Sequence, residues 1–170
     1  MNRKITFMAL ALLLGSAFAG SCSNNDEPDP VPVPEETLLI RNYTGFAVGK
    51  SQHFQNMLSS TSDTVSISPA KQNSSNFDII FKSGFWGNAR FENVSFQKVD
   101  GVFQLADTKG LISMPQRRPG VEVVTYNDYP ATLKGSTIHL SQHRISAYDF
   151  VIEANLGERA GVYTLELKSN

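Results

Sequence analysis

The stretch from Tyr148 to Leu167, YDFVIEANLGERAGVYTLEL, decides the fold. Its first half alternates apolar and polar residues and is broken only by Val151; the alternation returns from Tyr163 to Leu167. A period of two places one face of a strand in a core and the other face in water. Glycines bound the intervening segment Gly157–Gly161, so the two halves predict an antiparallel hairpin at the end of the domain.

The same period of two extends upstream and predicts an all-β domain. Asp100-Gly101 is a strong hairpin signal, and breaks in the alternation near Asn93 and at Gly135 predict bulges or tight bends. No segment has a convincing helical period; Gln52–Ser59 is the best candidate for a short turn. We therefore expect an antiparallel up-and-down barrel of about eight strands, with a two-sheet β-sandwich as the alternative. The other predicted strand segments are Leu38–Val48, Asp63–Ser68, Phe77–Phe81, Ala89–Val99 and Val102–Ala106, and Leu133 and the Ile138/Leu140 pair lie out of phase on the two sides of Gly135.

Aromatic residues at inward positions of these strands are the expected filling of the interior, because each ring buries a large apolar area. The candidate interior residues are Phe81, Phe91, Phe96, Phe103, Phe150 and Tyr163.

Composition excludes several classes of function. The 170 residues carry 15 basic and 16 acidic side chains, and this balance argues against a nucleic-acid partner, which usually requires a basic patch. The single cysteine excludes an intrachain disulfide framework and a multi-cysteine zinc site.

The N-terminus predicts export and lipid anchoring. Arg3 and Lys4 precede a short apolar run and a small-residue stretch, the pattern of a secretory signal peptide over residues 1–21. Ala19-Gly20-Ser21-Cys22 resembles the lipobox of bacterial lipoproteins, which implies acylation of Cys22 and contact with the lipid bilayer. The acidic, proline-rich composition of residues 22–37 predicts an extended tether, and residues 38–170 form the predicted barrel domain.

The acidic residues that follow Cys22 look like the signal that sends lipoproteins of Gram-negative gut anaerobes to the cell surface. The expected location is the outer membrane with the domain facing the exterior; the periplasmic face is the alternative.

The order of several motifs resembles the calycin-like lipoproteins, a lipocalin-like group. After the lipobox come RNYTG at Arg41–Gly45, DTVSI at Asp63–Ile67, GNARFENV at Gly87–Val94, YPATLKG at Tyr129–Gly135 and GVYTLEL at Gly161–Leu167. This resemblance implies an eight-stranded barrel and an envelope location, and it implies no particular activity. The G-x-W signature near the start of true lipocalins is absent, because the only Trp is Trp86, in mid-chain, so their ligand chemistry does not carry over.

Catalytic signatures are missing from the sequence, and we expect a protein that is not an enzyme, with a hydrolase as the residual alternative. There is no G-x-S-x-G elbow, P-loop, G-x-G-x-x-G or C-x-x-C motif. His139 and His143 would share a face only on a helix; four residues along a strand span about 13 Å, too far to share one ion. We therefore expect no metal and no cofactor.

Two loops carry the candidate contact residues. Phe85 and Trp86 lie between two glycines, where they could stack on a ligand or fold back to cap the core. Arg117 and Arg118 lie in a loop bounded by prolines and could pair with an anionic group. Asp63-Thr64-Val65 also matches a short O-glycosylation motif of similar lipoproteins, which makes Thr64 a candidate for modification.

The leading hypothesis is a membrane-anchored, non-enzymatic binding module for a small hydrophobic or amphiphilic ligand, since eight-stranded barrels can hold one such molecule. The alternative is a surface accessory with a solid core that engages another protein through its loops.

Overall fold

The computed structural model describes residues 34–116, 124–158 and 160–169, and in them the protein is all-β, as predicted. The sheet is antiparallel and follows one short 3-10 helix, Glu35–Leu39. Its strands are β1 Asn42–Gly45, β2 Val48–Lys50, β3 Met57–Leu58, β4 Asp63–Pro69, β5 Phe77–Ser83, β6 Gly87–Val94, β7 Phe96–Val99, β8 Val102–Leu105, β9 Thr108–Gln116, β10 Thr125–Leu133, β11 Thr137–Ser141, β12 Arg144–Asn155 and β13 Val162–Lys168.

Several strands that follow one another in the chain continue in the same direction across the sheet, and we call each such continuous crossing a pass. Arg90 pairs with Leu111 and Phe96 with Leu105 in one unchanged register, so β6–β7 runs antiparallel to β8–β9 as a single hairpin. The pairing of β10–β11 with β9 and β8 keeps one register in the same way. With β1–β2 counted as one pass, β4, β5, β12 and β13 complete the eight passes that the sequence predicts.

The ends of this sheet meet at a break in the first pass. β1 pairs with β4, whereas β2 pairs with β13, and Phe46 and Ala47 separate the two strands. The hydrogen-bonded sheet is therefore not closed, and the predicted two-sheet arrangement is compatible with it.

The predicted irregularities occur where the alternation breaks. Asn93 has a positive φ of 56°, and the register between β5 and β6 shifts beside it, which is a bulge. Asp100 and Gly101, at φ of 50° and 79°, form the tight turn between β7 and β8. Gly135, at φ of 58°, bends the chain from β10 into β11.

The predicted first strand, Leu38–Val48, is wrong at its beginning. The chain forms the 3-10 helix first, since Pro34 precedes it with φ near −53° and accepts hydrogen bonds from the amide and the hydroxyl of Thr37. Leu39 is fully buried, and its carbonyl accepts a hydrogen bond from the Tyr43 hydroxyl. This burial outweighs the extended conformation that the apolar run favours.

The inner face of the sheet is filled by the protein's own side chains. Of the candidate interior residues, Phe81, Phe91, Phe103 and Phe150 are buried to within 1% of full burial, and Phe96 and Tyr163 are partly buried against the same cluster. The eight passes therefore enclose a packed hydrophobic core.

Candidate functional site

An aromatic cleft lies at one end of the sheet, which we call the cleft end. It has a volume of about 620 Å³, and five separate parts of the chain contribute to its wall. The residues that matter most below are Phe54, Met57, Trp86, Met114, Tyr129 and Tyr163. The described lining residues carry no carboxylate, imidazole or thiol; they offer aromatic rings, thioethers and one amide. Such a wall suits an apolar or aromatic group.

The turn between β5 and β6 positions Trp86. The Ser83 hydroxyl accepts hydrogen bonds from the backbone amides of Phe85, at 3.1 Å, and Trp86, at 2.8 Å. Gly87 follows with φ of 97°, and a Cβ atom there would lie 2.0 Å from the Ser113 carbonyl oxygen. Only glycine permits this close approach, so the turn folds inward and carries the indole with it.

The indole of Trp86 belongs to the core as well as to the cleft. Its Nε1 donates a hydrogen bond to the Ala47 carbonyl at 3.2 Å, and the side chain is only 4% exposed. Phe54 stacks on it at 5.9 Å between ring centroids, and Phe85 meets it edge-on at 4.7 Å. Of the two outcomes that the sequence left open, the structure shows Trp86 folded back as a cap on the core, with Phe85 half-buried beside it.

Ala47 is held from its other side by a buried carboxylate that the sequence did not single out. Asp63 is fully buried; one oxygen accepts a hydrogen bond from the Ala47 amide at 2.7 Å and the other from the Ser59 hydroxyl at 3.1 Å. Through Ala47, Asp63 therefore fixes the break between β1 and β2 beneath Trp86. The next residue, Thr64, is half-buried in β4, between β1 and β5.

The opposite end of the sheet, which we call the tether end, is where the described chain begins. Glu35 forms ion pairs with Lys98 of β7 and with Nδ1 of His143, at 3.1 Å, in the turn before β12. The hydrogen bond from Lys98 lowers the pKa of the Glu35 carboxyl below its ordinary value, and the nearby charges of Lys98 and His143 add to this effect. These contacts attach the 3-10 helix to β7 and to the turn before β12.

The two ends are separated by the length of β12. This strand starts beside His143 and ends at Asn155, one residue before Leu156 of the cleft wall. Its 12 residues span about 40 Å at a rise of roughly 3.3 Å each.

The histidines that the sequence considered as metal ligands lie near the tether end. His139 is half-buried in β11, and His143 is exposed. In the described part of the chain, no three His, Cys, Asp or Glu side chains converge as a metal site would require.

Three predicted site residues, Cys22, Arg117 and Arg118, lie outside the described residues. Sequence reasoning in turn missed Phe54, Met57, Met114 and Tyr129, which come from a loop and three strands. Only the pairing of these strands brings them together, and no local pattern signals it. Among the described helices, none has the length and hydropathy to span a membrane.

One solved structure with a similar fold comes from Bacteroides fragilis NCTC 9343, where the protein is named a "putative outer membrane protein". The two structures align with a TM-score of 0.55 and 13% sequence identity, over 81% of this chain and 47% of that one. This chain thus spans about half the length of that protein, and the likeness shows a shared fold. No protein-family model and no curated protein matches the sequence. The resemblance to the calycin-like lipoproteins stays a prediction.

Proposed function

We propose that this protein is a lipid-anchored surface protein of a Gram-negative outer membrane, and that it is a non-enzymatic binding module. The lipobox at Cys22 supports the anchor, and the name of the structural neighbour supports the location. Acylation is sufficient for the anchoring: each buried methylene contributes roughly 0.8 kcal/mol, and two or more chains hold a domain stably on a bilayer.

The cleft supports a binding role for the end of the domain opposite to the one where the described chain begins. The chain reaches Pro34 from the tether and meets the sheet at the tether end, about 40 Å along β12 from the cleft. A domain held by its tether end presents its cleft end to the surroundings.

The proposed ligand is a small hydrophobic or amphiphilic molecule that places an apolar group in the cleft. The aromatic cleft beside Trp86 is the single observation that carries this proposal, because the rest of the inner face is filled by the protein's own side chains. The filled interior also favours the second candidate function, engagement of another protein at the surface.

Trp86 is the only tryptophan in the sequence, so its fluorescence reports on the cleft without interference from other indoles. The mature acylated protein, held in lipid nanodiscs built on a tryptophan-free scaffold protein, would be titrated with the amphiphilic dye anilinonaphthalene sulfonate while Trp86 emission is recorded, with empty nanodiscs as the blank for dye that enters the lipid. We expect saturable quenching of the indole together with an increase in dye emission.

Met57 and Leu58 provide a matched pair of variants. Met57 lines the cleft and is 42% exposed, whereas its neighbour Leu58 is 58% exposed and lies outside the cleft. Met57→Asp places in the cleft a charge of the same sign as the dye's sulfonate and should abolish saturable dye binding, while Leu58→Asp should leave it unchanged. Equal dye binding by the two variants, or none by the wild-type protein, would remove the cleft as a ligand site.

The anchor has its own test. Cys22→Ser should move the protein from the membrane fraction to the soluble fraction, because no acyl chain can then be attached. Retention of this variant in the membrane would refute the lipobox.

A further inference from the structure

One edge of the sheet is open beside the cleft. β10 pairs with β9 at every position from Thr125 to Leu133, but with β12 only at Ala131–Leu133. In the described residues, the segment Thr125–Pro130 therefore has a strand on one side only. An edge of this kind presents unpaired backbone N–H and C=O groups to a further strand.

Pro130 shows which backbone groups this edge offers. Proline has no N–H, and Pro130 pairs with Leu111 within an uninterrupted β9–β10 ladder, so its backbone faces away from β9. In an antiparallel ladder the N–H and C=O of one residue point to the same side, and the side alternates along the strand. Tyr126 and Asp128 therefore also face the open side, with both a donor and an acceptor each.

Because β12 ends at Asn155, a gap lies beside the unpaired part of β10, and recesses lie on both faces of this gap. On the inner face, Tyr129 and Leu156 belong to the aromatic cleft. On the outer face, Pro130, Asn155 and Val162 line a groove of about 460 Å³. A strand placed in the gap would direct successive side chains into the cleft and the groove in turn, because side chains alternate across a strand.

A second edge, that of β7, is protected by contrast. Its Lys98 is ion-paired with Glu35, which ties the 3-10 helix to this strand. Charged lysines and covering segments are the usual means by which proteins block strand addition. The exposed aromatic and apolar residues beside the β10 edge, Tyr126 at 58% and Val162 at 51%, do not protect it in this way.

We propose that the β10 edge binds an extended peptide segment of a partner protein by strand addition, with an apolar side chain of that segment seated in the cleft. This inference specifies the ligand of the proposed function as a peptide. It rests on that function because the cleft must accept an apolar group. Backbone hydrogen bonds supply the affinity, and the alternate recesses select the side chains.

Charge distinguishes a foreign segment from a second copy of this chain. Two β10 edges paired antiparallel so that the outward-facing residues Tyr126, Asp128 and Pro130 overlap would place two Asp128 side chains directly opposite each other, and like charges in that position are destabilising. The partner segment therefore carries a basic or hydroxyl residue opposite Asp128, with apolar residues at the positions that face the cleft.

The test uses the mature acylated protein in lipid nanodiscs and a fluorescein-labelled heptapeptide of alternating valine and threonine with a central lysine. Fluorescence anisotropy gives its affinity. Two derivatives serve as controls: one carries N-methyl groups on alternate backbone amides, and the other has glutamate in place of lysine. We expect either change to weaken binding by about tenfold, because the first removes backbone donors and the second opposes Asp128.

Two variants at one position separate the backbone from the side chain. Asp128→Pro removes an N–H that faces the open edge and should weaken binding by about tenfold. Asp128→Ala loses the carboxylate, which accepts a hydrogen bond from Ser113, but keeps the N–H, so it should bind the lysine and glutamate peptides alike and both more tightly than Asp128→Pro does. The N-methylated peptide makes the same test on the unaltered protein should Asp128→Pro fail to fold.

Each remaining outcome decides the matter. Binding that ignores N-methylation, or the absence of binding by any of the peptides, overturns strand addition, while dye binding that depends on Met57 would still support the proposed function. Peptide binding without dye binding would contradict the proposed function instead. Concentration-dependent dimers in analytical ultracentrifugation that Asp128→Pro abolishes would assign the edge to a second copy and overturn the inference.

Discussion

The two ends of the sheet use aromatic residues to different effect. At the tether end, Tyr43 packs edge-on against Phe150 at 5.0 Å, and Phe77 stacks on Phe96 at the same distance, beneath the 3-10 helix. At the cleft end, the rings around Trp86 also contact one another, but they line an open cleft. The aromatic composition is alike, and the difference lies in how far neighbouring strands continue over the rings.

The strands explain this difference. β9 and β10 extend beyond the end of β12, because the chain turns after Asn155 and the β10–β12 pairing stops at Ala131. At the tether end, by contrast, β12 continues against β11. The tether end therefore contributes stability through buried rings beneath paired strands, with a groove of about 390 Å³ left between the 3-10 helix and Phe77 and Phe96. The cleft end leaves apolar surface and backbone groups open to a partner.

The largest expected effect is the loss of a fully buried ring at the tether end. Phe150→Ala removes contacts with Tyr43 and Tyr148 and should lower the free energy of unfolding by about 3–5 kcal/mol, measured by urea denaturation. Phe85→Ala, at the half-buried ring of the cleft end, is the matched change and should cost clearly less. Equal losses would show that the cleft end is packed as completely as the tether end.

The second effect concerns Gly49 of β2, against which the indole of Trp86 packs. A Cβ atom at Gly49 would lie 2.4 Å from a carbon of the indole ring, so Gly49→Ala must displace Trp86. We expect a loss of about 1–3 kcal/mol from overpacking, together with a red shift of Trp86 emission.

Gly45→Ala is the control for this change in the same pass of the chain. Its Cβ would meet the end of the flexible Leu167 side chain at 3.0 Å, so it should cost less and leave the emission unchanged. An unshifted spectrum in Gly49→Ala would mean that the indole is not fixed against β2.

The sequence predicts the strands better than the ends. Alternation locates Val65 and Ile67, Phe77 to Phe81 and the terminal hairpin correctly, because burial of one face imposes a period of two. The break near Asn93 predicts its bulge for the same reason, since apolar residues on both sides must stay inside.

The features that the sequence leaves unassigned depend on long-range contacts. Glu35–Leu39 is helical because Leu39 is buried against the sheet, and Asp63 is buried because Ala47 and Ser59 supply its donors. The cleft likewise exists only once several strands are paired. A two-residue period contains none of this information.

A smaller effect is expected in the pH dependence of stability, which should differ between Tyr43 at the tether end and Tyr126 at the cleft end. Burial raises the pKa of Tyr43, so the folded protein keeps this phenol neutral above pH 10, where the unfolded chain ionises. Its contribution to stability is complete below about pH 10 and is lost progressively as the pH rises towards the folded-state pKa. Tyr43→Phe also loses the hydrogen bond to the Leu39 carbonyl, worth about 1 kcal/mol.

The measurement for Tyr43 is the free energy of unfolding at neutral pH and above pH 10. Wild-type protein should lose more stability than Tyr43→Phe over this interval. Tyr126→Phe, at the exposed cleft end, should follow the wild-type curve. Parallel curves for Tyr43→Phe and the wild type would show that water reaches Tyr43.

The smallest effect is expected at the ion pairs of Glu35. The pKa of this carboxyl is lowered, chiefly by the hydrogen bond from Lys98, so its contribution is present above the ordinary carboxyl pKa and is lost as the pH falls through the folded-state value. Glu35→Gln should therefore lower the Tm slightly at pH 7 and leave it unchanged at pH 2, and the difference should shrink in high salt. Glu36→Gln, at the exposed neighbour, provides the baseline. A larger loss for Glu35→Gln at pH 2 than at pH 7 would mean that the carboxylate does not hold the 3-10 helix, and that the packing of Leu39 alone keeps the tether end covered.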